Sequence, residues 1–368
     1  MLSSWRELAW DKQKFVLGCA VGVIIVYIIA IYFSAVAMLK NKSQAQVNHT
    51  ARMNSTAIET GKTPPDTLPD EGNYTNVTVG TYFEDIDNLS IKDSLWSANF
   101  YVWFAWKGDQ ALDPGGKFIV VDGAITKKEV MEEYHGEDGT NYQRFRVSAK
   151  MIKFFDTYRV PIENHMLNIY LEDGGRDGTK LRFLADKNSN YSSRLSIPGY
   201  RITAVDNVVK NHTYKSSYGD PRVAPDARKT FSQYIAGLSI TRLDYGFYFK
   251  IFLSLFAALA LTLSSFFIKA SDVAPRFALP TGAYFGAVAN SYVANSILPP
   301  SGTFGLVDYV AGLGLFTIFL SIALSLVSVN LLKRDEKVES HVFDRVMFVA
   351  VGIGCVAANI IIPLCARG

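Results

Sequence analysis

Between residues 251 and 332 the chain carries only Lys269, Asp272, Arg276 and Asp308, four of its 71 charged side chains. A water-soluble domain cannot run so long without charge unless it exposes a large apolar patch. The stretch therefore predicts a membrane-embedded region, and the polar remainder predicts a separate domain. The net charge of +3 is too small to suggest a nucleic-acid partner.

A helix needs about 20 apolar residues to cross the hydrocarbon core. Five segments qualify by length: Phe15 to Leu39, Gly246 to Ile268, Phe277 to Leu298, Gly305 to Leu332 and Val346 to Leu364. The first is either a signal peptide, with Ala35-Val36-Ala37 as a small-residue cleavage site, or an uncleaved anchor. Its length, beyond the roughly 7–15 residues of a signal core, favours the anchor. Basic residues before the first span (Arg6, Lys12, Lys14), between the second and third (Lys269, Arg276) and between the fourth and fifth (Lys333, Arg334, Lys337, Arg345) fall on one side if every span crosses. The positive-inside rule then makes the N-terminus cytoplasmic and puts the polar domain in the periplasm or outside the cell, in a multi-pass cell (inner) membrane protein.

The chain divides into an N-terminal anchor over 1–40, a polar linker over 41–75, a β domain over 76–243 and a helical membrane domain over 244–368. In the β domain, short alternating runs separated by turn residues predict strands at Phe100 to Trp106, Lys117 to Val121, Arg144 to Met151, Met166 to Leu171 and Leu181 to Leu184. Their number and spacing suggest an immunoglobulin-like sandwich. Cys19, Cys355 and Cys365 all lie in apolar segments, so the polar domain has no disulfide framework and no cysteine zinc site. The five histidines have no metal-binding spacing, and no nucleotide loop or nucleophile elbow occurs. An enzyme, a cofactor and a metal are not expected. The acidic run Glu132, Glu133, His135, Glu137 and Asp138 reads as solvated loop charge, with divalent-cation binding as the alternative.

Several of these segments match one family in order. Arg276 to Pro299, closed by Asn295-Ser296-Ile297-Leu298-Pro299 and followed by Phe304 and Asp308, resembles the pore helix of pentameric ligand-gated ion channels and the turn after it. Trp106-Lys107-Gly108-Asp109 is similar to the family's Trp-x-Asp with one residue inserted. Tyr158-Arg159-Val160-Pro161-Ile162-Glu163 stands where the family has an aromatic-Pro-aromatic-Asp loop, and Arg242 matches the arginine before the first channel helix. The absence of the bracketing cysteines resembles prokaryotic members. Asn295 to Asp308 and Leu181-Arg182-Phe183 are closest to the amine-gated bacterial branch. The extra N-terminal span departs from the family's four.

The resemblance implies a homopentamer in membrane lipid, conducting inorganic ions and opened by a small-molecule or cationic ligand on the outer domain. On the helix 276–298 it implies that Ala278, Gly282, Phe285, Ala289, Tyr292 and Ser296, which share one helical stripe, line the pore. Small-residue helix packing is the alternative for that stripe. Asp272 and Arg276 are the implied selectivity residues. Ala274-Pro275 before Arg276 resembles the anion-selective pattern, whereas the amine-gated branch is cation-selective. Tyr101, Glu172, Asp173, Tyr214 and Tyr218 are the implied ligand residues. Arg242, Glu163, Pro161, Pro299 and Asp93 or Asp87 are implied to couple ligand binding to opening. A non-conducting membrane receptor or accessory signalling protein of the same fold is the alternative function.

Overall fold

The computed structural model describes all residues except 1–4, 6–7, 60–63, 70–71, 218, 220, 222–223, 225–227, 244, 301–302 and 368. It separates into two compact units. One comprises Met1–Ser43, Thr157–Glu163 and Asp244–Gly368, and the other comprises Gln44–Asp156 and Asn164–Leu243.

The second unit is built on two sheets. The larger has the order β4-β5-β2-β1-β7, formed by Gly123–His135, Thr140–Ile152, Leu95–Lys107, Thr75–Ser90 and Leu181–Ala185, with β8 (Asn190–Tyr191) also on β1. The smaller has the order β3-β6-β10-β9, from Phe118–Val120, Asn164–Asp173, Lys229–Arg242 and Tyr200–Tyr214. Strict alternation makes β2 two-faced. Trp96, Ala98, Phe100, Val102, Phe104 and Trp106 point inward, and the residues between them point out. A single apolar core takes side chains from both sheets, including Phe83, Phe100, Phe104, Phe183, Leu167, Leu171 and Leu238. All five strands expected from the sequence are present. The acidic run differs from expectation: Glu132, Glu133 and His135 belong to β4, because β4 pairs with β5 along its length and directs these side chains away from the core.

On the larger sheet Gly80 lies directly opposite Trp103, and a β-carbon at Gly80 would fall 2.2 Å from the indole. The ring therefore lies flat across the glycine while its Nε1 donates to Asp186 at 2.8 Å. Gly80→Val is expected to displace the indole and cost about 1–3 kcal/mol, the usual range for overpacking. Trp103 fluorescence and the thermal midpoint would report it, and an unchanged emission maximum would show that the ring has room to move.

The first unit is helical: the N-terminal part of α1 (Trp10–Arg52), then α2 (Gly246–Ser264, extended by a tight turn to Phe267), α3 (Val273–Asn295), α4 (Leu306–Lys333) and α5 (Lys337–Ala366). Four helices among the described residues, α1, α2, α4 and α5, are long and apolar enough to cross a membrane. The third expected span forms a helix of sufficient length, but Pro280, Thr281, Asn290, Ser291 and its tyrosines make α3 more polar than the others. Nor does α1 stop where its apolar run ends at Leu39. It continues to Arg52 through residues placed in the linker, since Lys, Gln and Ala are good helix formers and nothing there breaks the helix.

One face of α1 is buried at Val16, Ala20, Val23, Tyr27, Ser34 and Met38, a three-four spacing that keeps a narrow seam against neighbouring helices. Its other faces expose Leu17, Val21, Ile24, Ile25, Ile28 and Phe33, as a lipid-facing helix would. Tyr27 anchors the seam. Its hydroxyl shares a 2.7 Å hydrogen bond with Thr317 Oγ1, and its ring fills the space left by Gly354, where a β-carbon would sit 2.3 Å away. Near the start of the helix Lys12 Nζ reaches Glu336 at 2.7 Å and Glu339 at 2.9 Å.

Candidate functional site

Helix α3 has two unlike faces. Arg276, Pro280, Ala283, Ala287, Asn290 and Ala294 are buried, and small residues at 283, 287 and 294 let α3 pack closely against its neighbours. Asn290 completes that face: its Oδ1 accepts from Ser254 Oγ at 2.6 Å and from the Leu255 amide at 3.1 Å. The opposite stripe is Ala278, Gly282, Phe285, Ala289, Tyr292 and Ser296, and all six are exposed. Phe285 is 67% and Tyr292 77% exposed, so the described residues of the chain cover little of either ring. Of the two readings of this stripe, packing within the chain is therefore not what it does; the small-residue packing falls on the other face.

The two expected selectivity residues part company. Asp272 is exposed just before α3. Arg276 is fully buried on the packed face, where both terminal nitrogens pair with Asp344 of α5, one of them at 2.8 Å, and Nη1 also donates to the Ile268 carbonyl at 3.0 Å. A guanidinium held in this way serves helix packing and presents no charge on the exposed stripe. The sequence shows only that a charge sits in an apolar stretch; its partner lies 68 residues away.

At the far end of α3, Pro299 is half-buried after the last turn, and Ile297 and Leu298 pack into the helical core. The loop containing Pro161 belongs to the helical unit and meets the first turn of α4. The Leu306 amide donates to the Tyr158 carbonyl at 2.7 Å, and a β-carbon on Gly305 would come within 2.9 Å of that oxygen. Asp308 caps the same turn by accepting from the Gly305 amide at 2.8 Å. Pro161 and Glu163 are both buried. The other residues assigned to coupling lie in the sheet unit. The Arg242 guanidinium stacks 4.1 Å over the Tyr200 ring, Asp93 accepts from Ser90 at 2.6 Å, and Asp87 accepts from Asn99 at 2.8 Å. Burial and the nearby Asp85 raise the Asp87 pKa.

Of the expected ligand residues, the structure brings Glu172 and Tyr214 together. Glu172 is buried and accepts from the Tyr214 hydroxyl at 2.8 Å and from Gln233 Nε2 at 2.7 Å, with His212 Nδ1 at 2.6 Å. The His212 and Tyr214 rings lie 4.5 Å apart and Phe231 meets Tyr214 edge-on at 5.5 Å. The carboxylate thus presents its charge through an imidazole and a phenol. His212, Gln233 and Phe231 were missed by sequence reasoning; the period-two spacing of His212 and Tyr214 on one strand was the available signal. Asp173 turns away to hold Arg176, through Nε at 3.1 Å and Nη2 at 2.6 Å, and to accept from the amides of Gly175 and Arg176. Tyr101 lies on the other sheet, opposite Tyr82 and Arg146 and on its outward face. Tyr218 lies outside the described residues.

The acidic run has partners within the protein: Glu132 with Arg144 at 3.0 Å, Glu133 with His135 at 3.3 Å, and Asp138 with the Thr140 hydroxyl at 2.8 Å. Those bonds to Thr140 hold the Asp138 carboxyl below its ordinary range. Among the described residues no group of three or more His, Cys, Asp or Glu side chains is arranged to hold a metal ion. No protein-family model matches the chain, and no curated protein matches it either.

Proposed function

We propose that the chain is one subunit of a homopentameric ligand-gated ion channel of the cell membrane, in which α3 of each copy lines a central pore. The observation that carries this reading is the exposed stripe of α3, which coincides residue for residue with the lumen-facing set expected from the family resemblance. A helix more polar than its neighbours, with one face buried against them and one face bare, suits a water-filled lumen surrounded by copies of itself. The two-sheet unit, with its common core, is read as an immunoglobulin-like sandwich on the outer side of the membrane. Its ligand is a small molecule, and the aromatic rings of Tyr214 and Phe231 beside Glu172 favour a cation. Tyr101 is contributed to that site by the adjoining subunit. The docked seam of α1 favours a retained anchor over a cleaved signal peptide.

Five copies related by a cyclic axis, joined by heterologous contacts between neighbours, would turn the stripe toward an enclosed lumen. Native mass spectrometry in nanodiscs is expected to give a pentamer, and proteoliposomes are expected to pass inorganic ions. A stable monomer or dimer would defeat the proposal. A pentamer with no flux under any ligand tested would instead support the non-conducting receptor, a reading favoured by the bulk of Phe285 and Tyr292 on the stripe.

A further inference from the structure

The described residues that follow α1, Met53 to Glu59, lie on the sheet unit. Arg52 Nη1 donates to Asn168 at 3.3 Å, the Met53 sulfur lies against Gly237, and Lys210 Nζ donates to the carbonyls of Ala51 at 2.8 Å and Ala57 at 2.6 Å. This strap explains why β6 is buried on both of its faces. Between the strap and the outward side of β6, β9 and β10 lies a cavity of about 860 Å³, within the roughly 300–1,000 Å³ usual for small-molecule sites.

The lining has an apolar part, made by Ile58, Pro64, Pro65, Val209 and Ile235, and a cationic part, made by Lys210, Lys215 and Arg228 beside His212. Two carboxylates, Glu59 and Asp122, also reach it. Glu59 is taken by Arg52, at 2.7 and 3.1 Å, so that pair contributes little net charge. Among the described residues Lys210 has only carbonyl partners and Lys215 has no ion pair. Arg228 meets Asp66 no closer than 3.8 Å, and both of those side chains are about half exposed. With Glu59 taken by Arg52, the three cations Lys210, Lys215 and Arg228 face two carboxylates, Asp122 and Asp66, which leaves a surplus of one positive charge. Burial lowers the Lys210 ammonium pKa, with Glu59 opposing the shift and Arg52 adding to it.

We propose that this cavity is a binding site for a small organic anion, a carboxylate or phosphate on a compact apolar body, whose acid group is met by Lys210, Lys215 and Arg228 while the body lies against the strap. An anion there would offset the excess cationic charge, and its hydrogen bonds to ammonium and guanidinium groups would be of the strong, charge-assisted kind. The cavity shares His212 and Gln233 with the Glu172 cluster, which lies behind them, and the proposal does not depend on whether α3 conducts ions.

Calorimetric titration of the purified full chain in detergent tests it with four probes of one size: benzoate, phenyl phosphate, benzyl alcohol and benzylamine. Benzoate, phenyl phosphate or both are expected to bind saturably, the tighter naming the head group, with the alcohol weaker and the amine absent. Lys215→Gln and Arg228→Gln, each at the cavity mouth, are expected to weaken the anion about tenfold, and Lys210→Met at least as much. The two mouth variants keep the test open if Lys210→Met fails to fold. Benzylamine binding as tightly as benzoate, no saturable binding of either anion, or anion binding unchanged by all three substitutions would each overturn the proposal.

Discussion

Asp344→Ala is expected to cost about 3–5 kcal/mol, the largest loss of stability from any single substitution considered for this chain. Arg276 is fully buried, and among the described residues Asp344 supplies the only carboxylate to which it is paired. Removing that partner leaves an uncompensated guanidinium between α3 and α5. Replacing both residues with leucine should recover much of the loss, because desolvating two ions costs nearly as much as their attraction returns. Thermal unfolding in detergent, with helical content read by circular dichroism, separates these cases. A single variant as stable as the parent, or a double variant no better than the single, would show that the pair is not what holds α3 in place.

Phe285→Ala is expected to raise basal ion leak through reconstituted protein at least several-fold while leaving the fold intact. The ring is largely exposed, so its removal takes little from the core. In a pentamer five such rings would narrow and dry the lumen, and a dry constriction stops ions without a physical plug. Tyr292→Ala provides the comparison, since Tyr292 lies two turns further along the same stripe. Flux that rises only in the Tyr292 variant would move the constriction there. Flux unchanged in both, with assembly intact, would count against a conducting pore lined by α3.

The grouping of six residues into one stripe of α3 was legible in the sequence because a helix repeats every 3.6 residues, but spacing left open whether that stripe is packed or exposed, and the structure leaves it exposed. The strands were legible for the same reason with a period of two. Helical continuity past Leu39 was harder to read, since polar residues serve a linker and a solvent-exposed helix equally well. The local pattern of 132–138 was likewise ambiguous, and pairing with β5 decided it.

What the sequence determined by itself was periodic and compositional: which segments are apolar, which face of each is marked, and that the cysteines sit away from the polar domain. Only the tertiary structure decided what meets what. It joined Arg276 to Asp344, gathered His212, Tyr214 and Gln233 around Glu172 from two strands, seated Tyr27 against Gly354, and laid the segment after Arg52 over the smaller sheet. The physical reason is that backbone geometry repeats over a few residues and leaves its mark in local spacing. The partner that satisfies a buried charge or fills the gap above a glycine is chosen by packing between segments far apart in the chain.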